Sequence, residues 1–193
     1  MGQLSFYSAE ARQPGVADLA GLLCGPGQAV SFARGTAARL SVVLHEQWRA
    51  KALSLACAER GVEAQVLATE EGHPLVRTAF RTDLSGLAAR WLRGAVKGVP
   101  REFDLDGSVL RLWALSAGKW VESGYVLGLD PHAPDTHEPL HAALAASGLP
   151  STLLGVRGGG PALRVTGRRR LARLAELVGS PPRGVAEDTW PAA

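Results

Sequence analysis

The stretch Leu19-Ala20-Gly21-Leu22-Leu23-Cys24-Gly25-Pro26-Gly27 is apolar as far as Cys24 and then changes to glycine and proline. This pattern predicts a helix over residues 16–24. Residues near 28–33 and 38–44 are rich in residues that favour strands, so a β-hairpin is expected to follow the helix. The same order of helix and hairpin recurs further along the chain.

An internal repeat organises the sequence. A constant shift of 87 residues along the sequence pairs Arg77 with Arg164 and Gly61 with Gly148. Further identical pairs under this shift are Leu53/Leu140, Ala56/Ala143, Ala58/Ala145, Leu67/Leu154, Leu84/Leu171, Leu87/Leu174 and Ala88/Ala175. Because the shift stays constant through a helix, a turn and two strands, it indicates a duplication of one structural unit.

Each copy of the unit is predicted to contain helix, hairpin, helix, hairpin and helix. In the first copy the helices are predicted over 16–24, 47–59 and 83–93, and the later strands over 63–69 and 75–82. In the second copy the helices are predicted over 107–117, 137–147 and 168–178, and the strands over 119–122, 125–129, 151–157 and 162–166. The predicted divisions are an N-terminal segment 1–15, a first repeat 16–93, a linker 94–106, a second repeat 107–179 and an irregular tail 180–193.

Composition excludes several classes of protein. The 193 residues are 46% hydrophobic and 20% charged, which suits a folded core and excludes global disorder. The sequence has no run of about 18 apolar residues, the length needed to cross a membrane. Its N-terminus lacks the pattern of a secretory signal. Two cysteines, Cys24 and Cys57, favour a reduced cytoplasmic protein. A net charge of +3 permits nucleic-acid binding without requiring it.

The stretch 19–27 resembles the signature helix of the LAGLIDADG homing-endonuclease family. Leu110-Arg111-Leu112-Trp113-Ala114-Leu115-Ser116-Ala117-Gly118 is similar to the degenerate second signature helix of WhiA-type sporulation regulators, whose repeats have lost nuclease function. The resemblance covers roughly residues 16–179. It implies an α+β fold of two tandem αββαββα repeats, forming a pseudo-twofold monomer with saddle-shaped antiparallel sheets, in which small residues such as Gly21 let the two signature helices approach closely.

The resemblance also bears on catalysis. Active members of the family carry an acidic residue at the foot of each signature helix, because metal-assisted hydrolysis requires oxygen ligands. The corresponding positions here fall on Cys24, Pro26, Leu115 and Ala117, none of which binds magnesium. The sequence therefore predicts that the protein is not an enzyme and that it needs no cofactor.

Alternation along the strands indicates a candidate DNA-binding face. In the segment 75–81, Arg77, Ala79 and Arg81 are predicted to face away from Val76, Thr78 and Phe80. The candidate DNA-binding residues are Arg34, Arg39, Arg77, Arg81, Lys119, Arg157 and Arg164. The alternative is that these side chains are the solvated outer positions of a half-exposed sheet. Binding to double-stranded DNA through so few cations would be modest and salt-sensitive.

A second motif competes with this interpretation. His137-Glu138-Pro139-Leu140-His141 matches the HExxH pattern of zinc proteases. Pro139 fits only a first helical turn, and no third ligand follows at the expected spacing. The repeat also maps both histidines onto ordinary helix positions. A protease is disfavoured, while adventitious metal binding at His132, His137 and His141 stays open.

The favoured function is a non-catalytic DNA-binding or transcription-associated protein of the cytoplasm and nucleoid. WhiA-type regulators carry a helix-turn-helix after the repeats, whereas this sequence ends at Ala193 without room for one. That difference keeps a second hypothesis open, in which the repeats bind a protein partner such as a transcription or sporulation regulator. A metal-dependent endonuclease is the third and least favoured alternative.

Overall fold

A computed structural model describes residues 6–192 of the chain. Its α-helices are α1 Ala20–Cys24, α2 Gln47–Glu59, α3 Ser85–Trp91, α4 Gly107–Ala117, α5 His137–Ala146 and α6 Arg168–Val178. Its strands are β1 Gln28–Phe32, β2 Ala37–Val43, β3 Ala64–Ala68, β4 Pro74–Thr78, β5 Leu92–Arg93, β6 Val96–Lys97, β7 Gly118–Val121, β8 Gly124–Gly128, β9 Thr152–Leu154 and β10 Ala162–Val165.

The strands form two four-stranded antiparallel sheets with the same topology. The first has the order β1-β2-β4-β3 and the second the order β7-β8-β10-β9. Gln65 lies opposite Arg77 in the first sheet, and Thr152 lies opposite Arg164 in the second. Residues paired by the sequence shift therefore occupy equivalent positions, and the predicted two-repeat α+β fold is confirmed.

The helix boundaries agree closely with prediction except at α1 and α3. The segment predicted as a helix over 16–24 is a 3-10 helix over Val16–Leu19 and an α-helix only over Ala20–Cys24. The helices predicted over 47–59, 107–117 and 168–178 have those bounds. The helix predicted over 83–93 ends at Trp91 instead, because Leu92 adopts an extended backbone. A tight turn with Gly94 at φ +65° then connects β5 to β6, so a short hairpin spans the predicted boundary between the first repeat and the linker 94–106.

The two signature helices, α1 and α4, pack closely against each other. Gly21 is buried on α1, and a Cβ at this position would overlap the Val109 carbonyl oxygen and lie 2.8 Å from the Trp113 amide nitrogen. Only a residue without a side chain permits this approach. Leu110, Leu112 and Trp113 of α4 are fully buried, so the seam between the repeats is part of one continuous core.

The segments before and after the repeats pack partly onto this core. The predicted tail 180–193 contains a short 3-10 turn, Glu187–Thr189, followed by buried Trp190. The Trp190 indole donates a hydrogen bond to the Gly179 carbonyl at 2.8 Å. The backbone carbonyl of Trp190 accepts a hydrogen bond from Trp120 Nε1 at 3.1 Å. Of the predicted N-terminal segment, residues 1–5 lie outside the described residues, as does Ala193 of the tail.

None of the helices within residues 6–192 has the length and apolar character needed to cross a bilayer.

Candidate nucleic-acid interface

Each sheet has one face that packs against the core and an opposite face with the more exposed residues, which we call the open face; in the second sheet Val126 and Ala162 of this face are buried. In the first sheet Leu40 and Val42 of β2 are buried, while Arg39 and Ser41 point to the open side. Opposite residues on antiparallel strands share a face. One row of polar side chains therefore crosses all four strands at Gln28, Ser41, Arg77 and Gln65.

The second sheet has the equivalent row. Lys119, Val126, Arg164 and Thr152 lie opposite one another on β7, β8, β10 and β9. Each repeat thus places an arginine in the same position on the open face of its third strand in sheet order. The predicted equivalence of Arg77 and Arg164 is confirmed as a matter of sheet register.

The open faces carry cations and no acidic residue at the outward-facing strand positions. These positions are Gln28, Val30, Phe32, Ala37, Arg39, Ser41, Val43, Gln65, Leu67, Leu75 and Arg77 in the first sheet, and Lys119, Val121, Gly124, Val126, Gly128, Thr152, Leu154, Ala162 and Arg164 in the second. All acidic residues of the described chain lie elsewhere, on helices, turns and loops.

The cations on these faces have few partners within the protein. Across residues 6–192, the side chains of Arg39, Arg77 and Lys119 make no hydrogen bond or ion pair. Arg164 Nη1 donates to Ser123 Oγ at 3.1 Å, and its buried Nε has no partner in the described part of the chain. Guanidinium and ammonium groups left free in this way can bind phosphate oxygens or guanine edges.

Two further candidates lie at hairpin tips. Arg34 is exposed in the β1–β2 turn, where Ala33, Arg34 and Gly35 have φ values of +51°, +58° and +83°. Such left-handed turns match the twist of a hairpin. Arg157 is exposed in the β9–β10 turn, Val156–Gly158. Both tips belong to the two sheets but lie beyond the rows described above.

The predicted orientations of Phe80 and Arg81 are wrong. Ser41 pairs with Arg77, but Ala38 pairs with Arg81, so the segment after β4 contains one more residue than β2. An extra residue of this kind reverses the alternation. Arg81 therefore shares the face of buried Ala38. Its Nη2 donates to Asp83 Oδ2 at 2.7 Å and to the Gly61 carbonyl at 3.0 Å.

A buried lysine lies where α1 ends. Lys97 Nζ donates hydrogen bonds to the carbonyls of Gly25 and Gly27 at 2.8 and 2.7 Å, and lies 2.7 Å from Asp130 Oδ2. Burial lowers the pKa of Lys97, and Asp130 partly offsets this effect. Burial also opposes ionisation of Asp130, but hydrogen bonding and the charge of Lys97 outweigh it, so the pKa of that carboxyl is lowered.

A buried arginine lies where α4 ends. Arg49 of α2 donates through its guanidinium to the carbonyls of Leu115 and Gly118 at 2.9 and 2.5 Å, while its Nε bonds Glu46 Oε2 at 2.8 Å. The last carbonyl groups of a helix carry a partial negative charge and lack partners within the helix. Arg49 supplies both a positive charge and hydrogen-bond donors to these carbonyl groups of α4.

The feet of the two signature helices meet at Gly25 and Ala117. A Cβ added to Gly25 would lie 3.2 Å from that of Ala117. Of the predicted positions, Cys24 and Leu115 are fully buried, and burial raises the pKa of the Cys24 thiol. Within the described residues, no group of three or more histidine, cysteine, aspartate or glutamate side chains is arranged to hold a metal ion.

The histidines of the HExxH pattern bind two different loops. His137 Nε2 lies 2.7 Å from the Asp130 carbonyl oxygen, and His141 Nε2 lies 2.9 Å from the Ser151 carbonyl oxygen. Each imidazole thus attaches α5 to a neighbouring loop. The two ring nitrogens that a metal would require are directed to separate backbone partners.

The buried charges Arg49, Lys97 and Asp130 were not among the predicted site residues. Arg49 on α2 and Arg60 immediately after it could have been noticed, because they continue the helical spacing of buried Leu53 and Ala56. Charged residues on an apolar stripe require partners. No local pattern marks Lys97 of the linker, whose partner Asp130 belongs to the second repeat.

Comparison with solved structures identifies the fold, whereas at the level of sequence no family model and no curated protein matches the chain. The structure of the homing endonuclease I-WcaI bound to its DNA recognition sequence is 14% identical to this chain, with a TM-score of 0.58. The match covers 92% of this chain and 83% of the endonuclease chain. Full-length DUF199/WhiA from Thermatoga maritima is 13% identical, with a TM-score of 0.58 and coverage of 93% and 57% respectively.

The N-terminal LAGLIDADG domain of DUF199/WhiA gives a similar result. It is 12% identical, with a TM-score of 0.57, and the match covers 93% of this chain and 87% of that domain. Together with the repeated αββαββα order and the close packing of α1 on α4, these matches show that the chain has the LAGLIDADG fold in a two-repeat form similar to those of a homing endonuclease and of WhiA.

Proposed function

We propose that this protein binds double-stranded DNA through the open faces of its two sheets and does not cleave it. The observation that carries the proposal is the charge distribution of these faces. Their outward-facing strand positions hold Arg39, Arg77, Lys119 and Arg164 and no acidic residue, although the whole chain has 18 acidic residues. Strand positions with cations that form no ion pair and with no carboxylate suit a polyanion.

The equivalent placement of Arg77 and Arg164 supports a duplex as the ligand. Both arginines lie third in the strand order of equivalent sheets and are half-buried at the open surface. Two cations placed equivalently in tandem repeats can contact phosphates or guanine edges on both sides of a duplex site. The small number of cations predicts modest affinity that falls as the salt concentration rises.

Buried cations support the absence of cleavage. The ammonium of Lys97 lies at the end of α1 and the guanidinium of Arg49 at the end of α4, where active relatives would place metal-binding carboxylates. The carbonyl oxygens at these ends already accept hydrogen bonds from the two cations, and the neighbouring carboxylates Asp130 and Glu46 are paired with the same cations, so these oxygens are already occupied as ligands. On the likeness to WhiA we extend the proposal to a transcription-associated, nucleoid-bound role as a monomer.

Fluorescence anisotropy with a labelled mixed-sequence duplex, measured across salt concentrations, tests the binding. We expect affinity at low salt that falls as salt rises, and a strong loss in the double variant Arg77→Glu/Arg164→Glu. Arg101→Glu/Arg183→Glu is the matched control, because both residues are exposed outside the sheets and the change in charge is identical. No binding at low salt, or an equal loss in both variants, would refute the proposed interface.

Incubation of supercoiled plasmid with the protein and either magnesium or manganese tests the absence of cleavage. We expect the plasmid to stay intact over the range of protein concentrations that saturates the duplex. Nicking that disappears on addition of a chelator, and that copurifies with the protein through several columns, would contradict the non-catalytic assignment.

A further inference from the structure

The open face of the first sheet carries a patch of exposed apolar and aromatic side chains next to its arginines. Phe32 is 59% exposed, Phe80 is 40% exposed and Val30 is 43% exposed. The rings of Phe32 and Phe80 have centroids 5.0 Å apart and planes inclined by 40°. We refer to Val30, Phe32, Arg39 and Phe80 as the aromatic platform.

The platform exists because of the extra residue after β4. In a regular continuation of β4, Phe80 would share the helix-covered face with Val76 and Thr78, which are buried. The register change between the Ser41–Arg77 and Ala38–Arg81 pairs turns Phe80 to the open side instead. Exposure of the Phe80 ring gives up the stabilisation that its burial in the core would provide. This position of the ring therefore favours contact with a ligand.

The surroundings of the platform determine which ligand fits. The Arg39 guanidinium lies over the Phe80 ring, 4.8 Å from its centroid. Arg34 lies at the tip of the same hairpin, Arg77 lies on the same face, and no outward-facing strand position in this sheet is acidic. A protein partner with an apolar surface would fit the rings alone. Rings next to guanidinium groups that form no ion pair fit a ligand that combines flat aromatic groups with negative charge.

We propose that the aromatic platform binds unpaired nucleobases, with Phe32 and Phe80 stacking on base faces and Arg34, Arg39 and Arg77 contacting the adjacent phosphates. The ligand is a single-stranded segment of nucleic acid. In a duplex the base faces are stacked inside and only their edges are accessible, so these rings cannot stack on them.

The second repeat lacks this feature, which confines the proposed site to the first repeat. In register with the shared rows, the position equivalent to Arg39 is Gly124 and the position equivalent to Val30 is Val121. The β7–β8 hairpin turns immediately after Val121, whereas β1 continues to Phe32. The proposal goes beyond duplex binding and does not depend on it.

Anisotropy with three labelled probes of equal length, about 12 nucleotides, tests the proposal: oligo-dT, an abasic single strand and a blunt duplex. The abasic strand has the phosphates without the bases. We expect oligo-dT to bind at least about fivefold more tightly than the abasic strand, since stacking on one base contributes about 1–3 kcal/mol. Equal binding of the two single strands would overturn the proposal.

Substitutions separate base stacking from phosphate contact. Phe32→Ala/Phe80→Ala should lower oligo-dT affinity at least about fivefold and should lower affinity for the abasic strand much less, because that strand has no bases to stack. Phe32→Tyr/Phe80→Tyr should retain oligo-dT binding, since stacking is preserved. Val156→Ala is the control, because Val156 is 80% exposed in another hairpin. Urea unfolding of each variant verifies the fold.

Two results would overturn the inference. One is oligo-dT affinity that is unchanged in the Phe32→Ala/Phe80→Ala variant with its fold intact. The other is self-association of the parent protein that this variant abolishes, measured by light scattering, because the platform would then be an interface between copies. If the parent protein does not bind the duplex, the proposed duplex interface is refuted. The comparison of oligo-dT with the abasic strand still tests the platform separately.

Discussion

The Lys97 ammonium lies 2.7 Å from the Asp130 carboxylate, and the two side chains are 3% and 2% exposed. The pair joins the β5–β6 hairpin between the repeats to the segment that follows β8 in the second repeat. Gln28 of β1 also donates to Asp130, at 2.7 Å, which adds the first sheet to the same cluster. A buried ion pair with this many hydrogen bonds fixes the relative positions of the elements that carry it.

Lys97→Met should destabilise the protein strongly. The substitution leaves Asp130 buried without its counter-ion and leaves the Gly25 and Gly27 carbonyls without a donor. Removing one partner of a buried pair costs about 3–5 kcal/mol. Urea denaturation followed by circular dichroism measures the free energy of unfolding.

Two further variants control this experiment. Lys97→Met/Asp130→Asn should be less destabilised than Lys97→Met, because no unpaired charge stays buried. Lys51→Met, at an exposed position of α2, should change stability by less than about 0.5 kcal/mol. If Lys97→Met were as stable as Lys51→Met, the buried pair would contribute nothing to the fold.

The pH dependence of stability should reverse in the Lys97→Met variant. In the parent protein the pKa of Asp130 is lowered from 3.8, so its contribution to stability is complete above 3.8 and is lost as pH falls through the lower folded value. Without Lys97, burial dominates and raises that pKa, so acidification through the raised value should stabilise the variant.

Urea unfolding at several values between about pH 6 and pH 3 measures this difference. The difference in unfolding free energy between parent and Lys97→Met should shrink as the pH falls. In the Lys97→Met/Asp130→Asn background, which has no carboxyl at this position, the contribution of residue 130 should be independent of pH. A constant difference between parent and Lys97→Met over the whole range would contradict the interpretation.

Gly21→Ala should disrupt the packing of α1 on α4. The added Cβ would overlap the Val109 carbonyl oxygen of the facing helix, and backbone cannot yield as a flexible side chain would. Overpacking of this kind costs about 1–3 kcal/mol. Gly86→Ala is the matched control, since a Cβ at this position of α3 meets nothing within 4 Å. It should stabilise α3 by up to about 1 kcal/mol. Thermal unfolding of the two variants should therefore shift in opposite directions.

The fold could be predicted from sequence because local patterns and the repeat agreed. Helix-forming segments such as 47–59 end at glycines such as Gly61, which marks the end of α2. The shift that pairs Arg77 with Arg164 relates the two sheets without reference to strand pairing. Predictions from period and repeat succeed where the backbone continues regularly.

The site was only partly predictable, because two of its features depend on contacts between distant residues. The extra residue after β4 is defined by the partner strand: Leu40 N–H donates to Thr78 Oγ1 at 3.0 Å, and the pairing resumes at Ala38 and Arg81. Alternation within β4 alone cannot reveal it. Likewise, Lys97 and Asp130 belong to different units, so no local spacing relates them.

Both cysteine thiols should be unreactive in the folded protein. Cys24 and Cys57 are buried, and burial raises the pKa of Cys57 to about 11. The thiolate is the reactive form, so it is scarce at neutral pH. We expect a chromogenic disulfide reagent to label neither thiol at about pH 8, and to label both once urea unfolds the chain. Rapid labelling of one thiol in the native protein would show that its surroundings open.

Arg77 and Arg81 lie four residues apart on one segment. Substitution of Arg77 should affect duplex binding, whereas substitution of Arg81 should affect stability. Arg77 lies free on the open face, whereas Arg81 is turned to the other side, where it bonds Asp83 and the Gly61 carbonyl. Arg77→Ala should therefore weaken duplex binding and reduce the salt dependence by about one counterion, with stability unchanged. Arg81→Ala should leave binding unchanged and lower stability by about 0.2–1 kcal/mol, as expected for a partly exposed ion pair.

Anisotropy titrations at several salt concentrations and urea unfolding, performed on both variants, give the two readouts. The comparison is internally controlled, because each substitution removes one arginine from the same segment and the net charge changes equally. An equal loss of duplex affinity in Arg77→Ala and Arg81→Ala would mean that binding responds to total charge. A loss confined to Arg77→Ala would assign binding to the open face, because both variants lose the same charge and only Arg77 lies on that face.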